Sequence, residues 1–102
     1  MSGDPSLVNG RGLDRLVRDL VAEVMVVSPD DVGPDTALIR DLGAESIDFM
    51  DLVFRLEDAL ATRIPYTRWQ RFLADRLPAA DLTVAVTAQV VRAFAEEELA
   101  RA

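Results

Sequence analysis

The sequence predicts an all-α fold, a small bundle of four helices. Three observations point there. Apolar residues recur at helical spacing in four separate segments. Connections containing Pro or Gly separate those segments. No segment offers a convincing strand partner for another, so helix packing on helix is the remaining architecture. The chain has 102 residues, half of them apolar, which suits one domain with a real core and no need of disulfides or a metal.

Residues 1–12 hold three Gly, one Pro and two Ser and read as a flexible tail, leaving 13–102 as the domain. The first helix begins at Leu13. Leu13, Leu16, Val17, Leu20, Val21, Val24 and Val27 form one face, with Asp14, Arg15, Arg18, Asp19 and Glu23 opposite. Ser28-Pro29 is expected to end it, because Pro disfavours α geometry in the residue before it. Asp30 to Gly43 is a long first connection with Val32, Leu38, Ile39 and Leu42 spaced through it. Loops of that length in small domains are often functional, and these apolar residues are expected to pin it to the helices.

The second helix runs from about Glu45–Ser46 to about Thr62, with Phe49, Leu52, Val53, Leu56 and Leu60 on its core face. Ile47, Met50 and Phe54 make a second, narrower stripe, more than one core face requires. Tyr66, Trp69, Phe72, Leu73 and Leu77 fit a third helix of about three turns stopped near Pro78. Asp81 or Thr83 is expected to cap a last helix from about Val84 to Leu99. Val84, Val86, Thr87, Val90 and Val91 favour strand, but the length and the Ala/Glu-rich end favour helix.

Composition removes several functions. Eleven basic residues, all arginine, stand against 18 acids, a net charge of −7, with no Cys and no His. A thiol nucleophile, a zinc–thiolate site and the commonest general base are therefore absent from the chain itself. The acidic balance argues against nucleic acid and for a partner with a basic surface. Residues 1–12 lack the apolar stretch of a signal peptide, and the longest apolar run, Val24 to Val27, is far too short for a membrane span. No membrane association, a cytoplasmic location and a monomer are expected. Arginine without lysine, beside abundant Ala, Val and Asp, suggests a GC-rich bacterial source.

The informative segment is Asp41-Leu42-Gly43-Ala44-Glu45-Ser46-Ile47-Asp48, a serine at the start of an acidic helix after a glycine. Here the chain resembles the acyl carrier protein family, which includes peptidyl carriers. The family motif reads Asp-Leu-Gly-x-Asp-Ser-Leu. Asp41, Leu42, Gly43 and Ser46 match, as does the acid Asp48 in the helix that follows. Glu45 and Ile47 depart from Asp and Leu but keep their character. The likeness extends over roughly residues 13–99 in helix order, in the long first loop and in Thr83-Val84 before the last helix.

The resemblance implies that Ser46 carries 4′-phosphopantetheine, attached from coenzyme A by a phosphopantetheinyl transferase with Mg²⁺. The arm's thiol would hold an acyl group as a thioester, and the chain itself would be no enzyme. The bland reading of Ser46 is a helix N-cap. A capping box starting from it is absent, because the residue three beyond is Phe49. A Ser46 nucleophile of the hydrolase kind lacks any His or Lys base.

Residues 41–60 hold six acids against Arg55 alone, a net −5. By resemblance Glu45, Asp48, Asp51, Glu57 and Asp58, with Asp41 flanking, face basic patches on partner enzymes. Ile47, Met50 and Phe54 map to the family's exposed apolar contacts. A small apolar patch rimmed by charge suits a transient interface. The alternative for both sets is a solvated face and additional core. Expected partners are the transferase and acyl-loading, condensing or acyl-transfer enzymes. Residues 63–77 hold four Arg against Asp75, a net +3, with the chain's single Trp and Tyr. This third helix looks longer than is usual for the family. Its aromatics are read as extra core, with a specialised partner site or a widened acyl pocket as the functional alternative, and the departure favours a dedicated pathway in specialised metabolism over housekeeping fatty-acid synthesis. A helical adaptor without an arm is the alternative from another class.

Overall fold

The computed structural model of the chain describes residues 10–102. The tail expected over residues 1–12 lies outside that range up to residue 9, and residues 10–12 already belong to the first helix. Helix α1 spans Gly10–Met25, α2 Leu38–Leu42, α3 Ser46–Leu60, α4 Tyr66–Arg76, α5 Leu82–Ala85 and α6 Ala88–Arg101, with a 3₁₀ turn at Pro29–Asp31. Four of these are the expected bundle helices; α2 and α5 are short additions. Among the described residues there is no strand.

Helix α1 buries the predicted face: Leu13, Val17, Leu20 and Val21 are in the core, and Leu16, Val24 and Val27 pack against it. It stops before Ser28-Pro29 is reached. Val26 turns left-handed at φ 57°, and the Val27 N–H reaches back to the Ala22 carbonyl at 3.0 Å. That closure satisfies a helix-end carbonyl locally, so proline is not what ends the helix. Ser28 instead caps the 3₁₀ turn, its hydroxyl accepting the Asp30 N–H at 3.2 Å.

The long connection is pinned as its composition suggested. Val32 and Leu38 are buried, and Ile39 and Leu42 pack against the core. Backbone bonds then tie it to the far end of the chain. Leu38 N–H donates to the Val86 carbonyl, Ala88 N–H to that of Thr36 and Gln89 N–H to that of Pro34, each at 3.0 Å. An isolated antiparallel bridge joins Ala37 and Thr87. This contact corrects the expectation of one unbroken last helix. The chain leaves helix at Val86–Thr87 to pair with the loop, so Asp81 caps α5 by accepting the Thr83 N–H, and Thr87 caps α6 by accepting the Val90 N–H. The strand preference of Val86 and Thr87 is expressed as that bridge.

Helix α1 packs on α6 and α3, α3 on α4, and α2 on α5. The aromatics of the third segment are core. Trp69 stacks between Phe49 and Phe72, ring centroids 5.8 and 6.1 Å away, and meets the edge of Phe94 at 5.1 Å. One tryptophan thus ties α4 to both α3 and α6; Arg71 and Arg76 face solvent, whereas Arg68 is half-buried.

Candidate functional site

Ser46 sits where three local devices converge. The first is Asp41, whose Oδ2 accepts the Ala37 N–H at 2.8 Å and closes the first turn of α2. Its Oδ1 also receives Arg40 Nε at 2.9 Å. The Arg40 hydrogen bond first, and the Ala37 amide second, hold the Asp41 carboxyl below its ordinary range. The second is Gly43, left-handed at φ 74°, whose amide closes on Ile39 while the Ala44 N–H reaches the Leu38 carbonyl at 3.0 Å. The third is the buried methyl of Ala44, which anchors the elbow to the core. Asp41, Gly43 and Ala44 therefore end one helix and begin the next within three residues.

The cap of α3 is Glu45, one residue earlier than Ser46. Asp48 closes the helix start, its Oδ2 accepting the Glu45 N–H at 2.8 Å. This corrects the reading of Ser46 as the N-cap: a box is absent from Ser46, as Phe49 implies, but the register is counted from Glu45, and Asp48 is its third residue. Ser46 is thereby freed from capping. It is exposed at the first helical position, and its hydroxyl has no partner among the described residues. The amides of Ser46 and Ile47 likewise find no acceptor among the described residues. Free first-turn N–H groups and the positive end of the helix dipole favour an anion at that hydroxyl. A phosphodiester on Ser46 Oγ would meet open solvent and these donors, so the residues present fit a phosphate-linked arm.

Beyond the serine, Ile47, Met50 and Phe54 are 69%, 53% and 67% exposed. The narrow stripe is therefore surface, and the core reading of it fails. The wide stripe of Phe49, Leu52, Val53, Leu56 and Leu60 is buried as expected. The acids divide by what they already do. Glu45 and Asp58 are exposed, and the Asp58 side chain has no partner among the described residues. Asp51 meets Arg55 at 3.1 Å, and Arg55 also reaches Glu23 on α1 at 2.8 Å. Glu57 turns to the end of α3, where its Oε2 accepts the Ile64 N–H at 2.8 Å. Asp41 and Asp48 serve the backbone as described. The face is acidic, yet several of its carboxylates also hold local structure.

Sequence reasoning missed Glu98. It is 2% exposed, and its Oε2 lies 3.1 Å from Arg68 Nε and 3.4 Å from Arg101 Nε. The signal was available: Val91, Phe94, Ala95 and Glu98 share one helical stripe, so an acid falls where an apolar residue is expected.

Residues 15–68, just over half of the chain, match the family described as phosphopantetheine attachment site. The chain is similar to the acyl carrier protein AcpXL of Brucella melitensis, 38% identical over 53 residues, or 52% of this chain and 57% of that protein. It is similar to the acyl carrier protein of Campylobacter hominis, 40% identical over 58 residues, 57% of this chain and 73% of that one. Against the acyl carrier protein of a Sulfurovum species it is 43% identical over 49 residues, covering 48% and 65%. The match thus spans little more than half the length of the AcpXL relative.

Proposed function

The chain belongs to the phosphopantetheine attachment-site family of acyl carrier proteins, whose prosthetic group is covalent 4′-phosphopantetheine, and on that premise we propose that Ser46 is the residue that bears it. The observation that carries the reading is the free, exposed Ser46 hydroxyl at the first position of α3, with capping taken over by Glu45 and Asp48. When bound, the arm supplies a terminal thiol, the nucleophile that a cysteine-free chain lacks, and holds the cargo as a thioester. The chain's own part is positional. Asp41 and Gly43 shape the elbow, and the start of α3 offers donors to the phosphate. Tethering then raises the local concentration of cargo at each partner's active site.

The docking face comprises Glu45, Ile47, Asp48, Met50, Asp51, Phe54, Glu57 and Asp58, with Asp41 at its flank. Its partners are a phosphopantetheinyl transferase and acyl-loading, condensing or acyl-transfer enzymes with basic patches. Charge sets on-rate and partner choice, and the exposed stripe supplies the desolvated centre. The cargo is a fatty-acyl, polyketide or aminoacyl group, and the arginine-rich α4 favours specialised metabolism. The protein works as a cytoplasmic monomer.

The experiment is incubation of the purified chain with coenzyme A, Mg²⁺ and a broad-specificity phosphopantetheinyl transferase, followed by intact mass. The expected result is one added phosphopantetheine unit in the parent chain and none in Ser46→Ala. An unchanged parent mass would favour an armless helical adaptor. Addition that survives in Ser46→Ala would place the arm elsewhere.

A further inference from the structure

A second site lies between α4 and α6. A cleft of about 390 Å³ opens there, lined by Arg68, Arg71, Phe72, Phe94, Glu98 and Arg101 among others. Phe72 and Phe94, edge to face at 5.3 Å, give it an aromatic floor. Glu98 is the buried acid in its wall. Its Oε2 lies within ion-pair distance of Arg68 Nε and Arg101 Nε, but neither Glu98 Oε1, an acceptor, nor Arg68 Nε, a donor, has a hydrogen-bond partner although both are buried. An unsatisfied buried carboxylate oxygen is costly, and native structures seldom keep one without a partner that binds there. At the rim Arg76 is occupied by Glu97, whereas Arg71 is exposed and has no ion pair among the described residues.

The cleft therefore offers a buried acceptor, an unpaired guanidinium and an apolar floor. The ligand needs a donor for Glu98 Oε1 and an anionic group for Arg71. Two guanidinium groups already offset the charge of Glu98, so an ammonium would lie against Arg68 and Arg101, while a neutral hydroxyl meets no such repulsion. A carboxylate suits the planar fork of Arg71. An aromatic or branched body suits Phe72 and Phe94. We propose that the α4–α6 cleft binds an α-hydroxy carboxylate with an apolar body, the hydroxyl donating to Glu98 and the carboxylate pairing with Arg71. The site uses no residue of the Ser46 elbow or of the α3 face, and it stands or falls independently of the arm.

The test is a ¹⁵N-resolved NMR titration of the full chain with mandelate. Phenylacetate, which keeps the ring and carboxylate but lacks the hydroxyl, serves as the comparison. Mandelate is expected to give saturable shifts, at millimolar concentrations, on the amides of Phe72, Glu97 and Glu98. Phenylacetate is expected to bind about tenfold more weakly, as for a lost hydrogen bond to a charged acceptor. Arg71→Ala, at an exposed and unpaired position, keeps the fold and is expected to weaken mandelate by a similar, about tenfold, factor. Equal affinity for the two acids, no saturable shift with mandelate, or unchanged affinity in Arg71→Ala would each overturn the proposal and leave water as the occupant.

Discussion

Replacing Gly43 by Ala tests how the elbow before Ser46 is held. Gly43 is left-handed at φ 74°, ψ 27°, a conformation that L side chains rarely adopt. A Cβ added there would meet nothing within 4 Å, so no clash contributes. What remains is torsional. The left-handed conformation costs a non-glycine residue about 1–2 kcal/mol. Loss of glycine's extra freedom in the unfolded chain returns about 0.5–1 kcal/mol. The net expectation is a destabilisation of about 1 kcal/mol, with helix content unchanged. Urea unfolding followed by fluorescence of Trp69, the single and buried tryptophan, reads this directly. The midpoint should fall while the slope stays the same. A loss beyond about 3 kcal/mol would mean that the backbone has no room for a methyl, contrary to the open space described. No loss at all would mean that the left-handed turn is not what fixes the elbow.

The mirror experiment is Val26→Gly. Val26 is left-handed at φ 57° and 87% exposed, so removing its side chain sacrifices little burial, and a gain of about 0.5–1 kcal/mol is expected in the same assay; a loss would show that the exposed side chain is held by something other than α1's end. Asp41 supplies a pH dependence. Its folded value is depressed, so its contribution is present above the ordinary 3.8 and is lost as pH falls through the lower folded value. The Ala37 amide shift should titrate with a midpoint below 3.8, and a midpoint at or above it would mean that Arg40 and Ala37 do not hold the carboxylate. On the proposed docking face, Met50→Ala and Asp58→Arg should each slow arm transfer by the transferase about tenfold, while thermal unfolding stays within about 0.5 kcal/mol of the parent. Asp58 is the cleaner charge to reverse because Asp48 also caps α3. Parent-like transfer rates in both variants would remove the face from the interaction.

The bundle helices were legible because each buries a periodic stripe. The Phe49–Leu60 pattern located α3 almost to the residue, and Trp69 and Phe72 proved to be core as their spacing implied. Features decided by tertiary partners were not legible. Helix α2 is five residues long, too short for periodicity to register, and its first amide, that of Leu38, is held by the distant Val86 carbonyl. The break at Val86–Thr87 follows from pairing with residues 34–38, some fifty residues earlier, which no local pattern reveals. The cap shifted from Ser46 to Glu45 for a short-range reason: Asp48 lies three residues after Glu45, a spacing the sequence contains and that a reading centred on the serine passes over. For the candidate site, Ser46 and the exposed Ile47, Met50 and Phe54 stripe could be picked out beforehand. Which acids bond locally and which are free for the proposed docking could not, because it depends on which partner each carboxylate reaches. Glu98 went unnoticed because surface acids are common and its burial depends on Arg68, thirty residues earlier.

The central claim is that the arm sits on Ser46, and the cleavage pattern of the chain allows that to be read without ambiguity. Trypsin cleaves after Arg40 and Arg55, and the peptide between them, residues 41–55, contains Ser46 as its one hydroxyl side chain. After treatment with coenzyme A, Mg²⁺ and a phosphopantetheinyl transferase, that peptide should carry the added phosphopantetheine mass, with every other peptide unchanged. The same addition on any other peptide, or on none, would contradict the account.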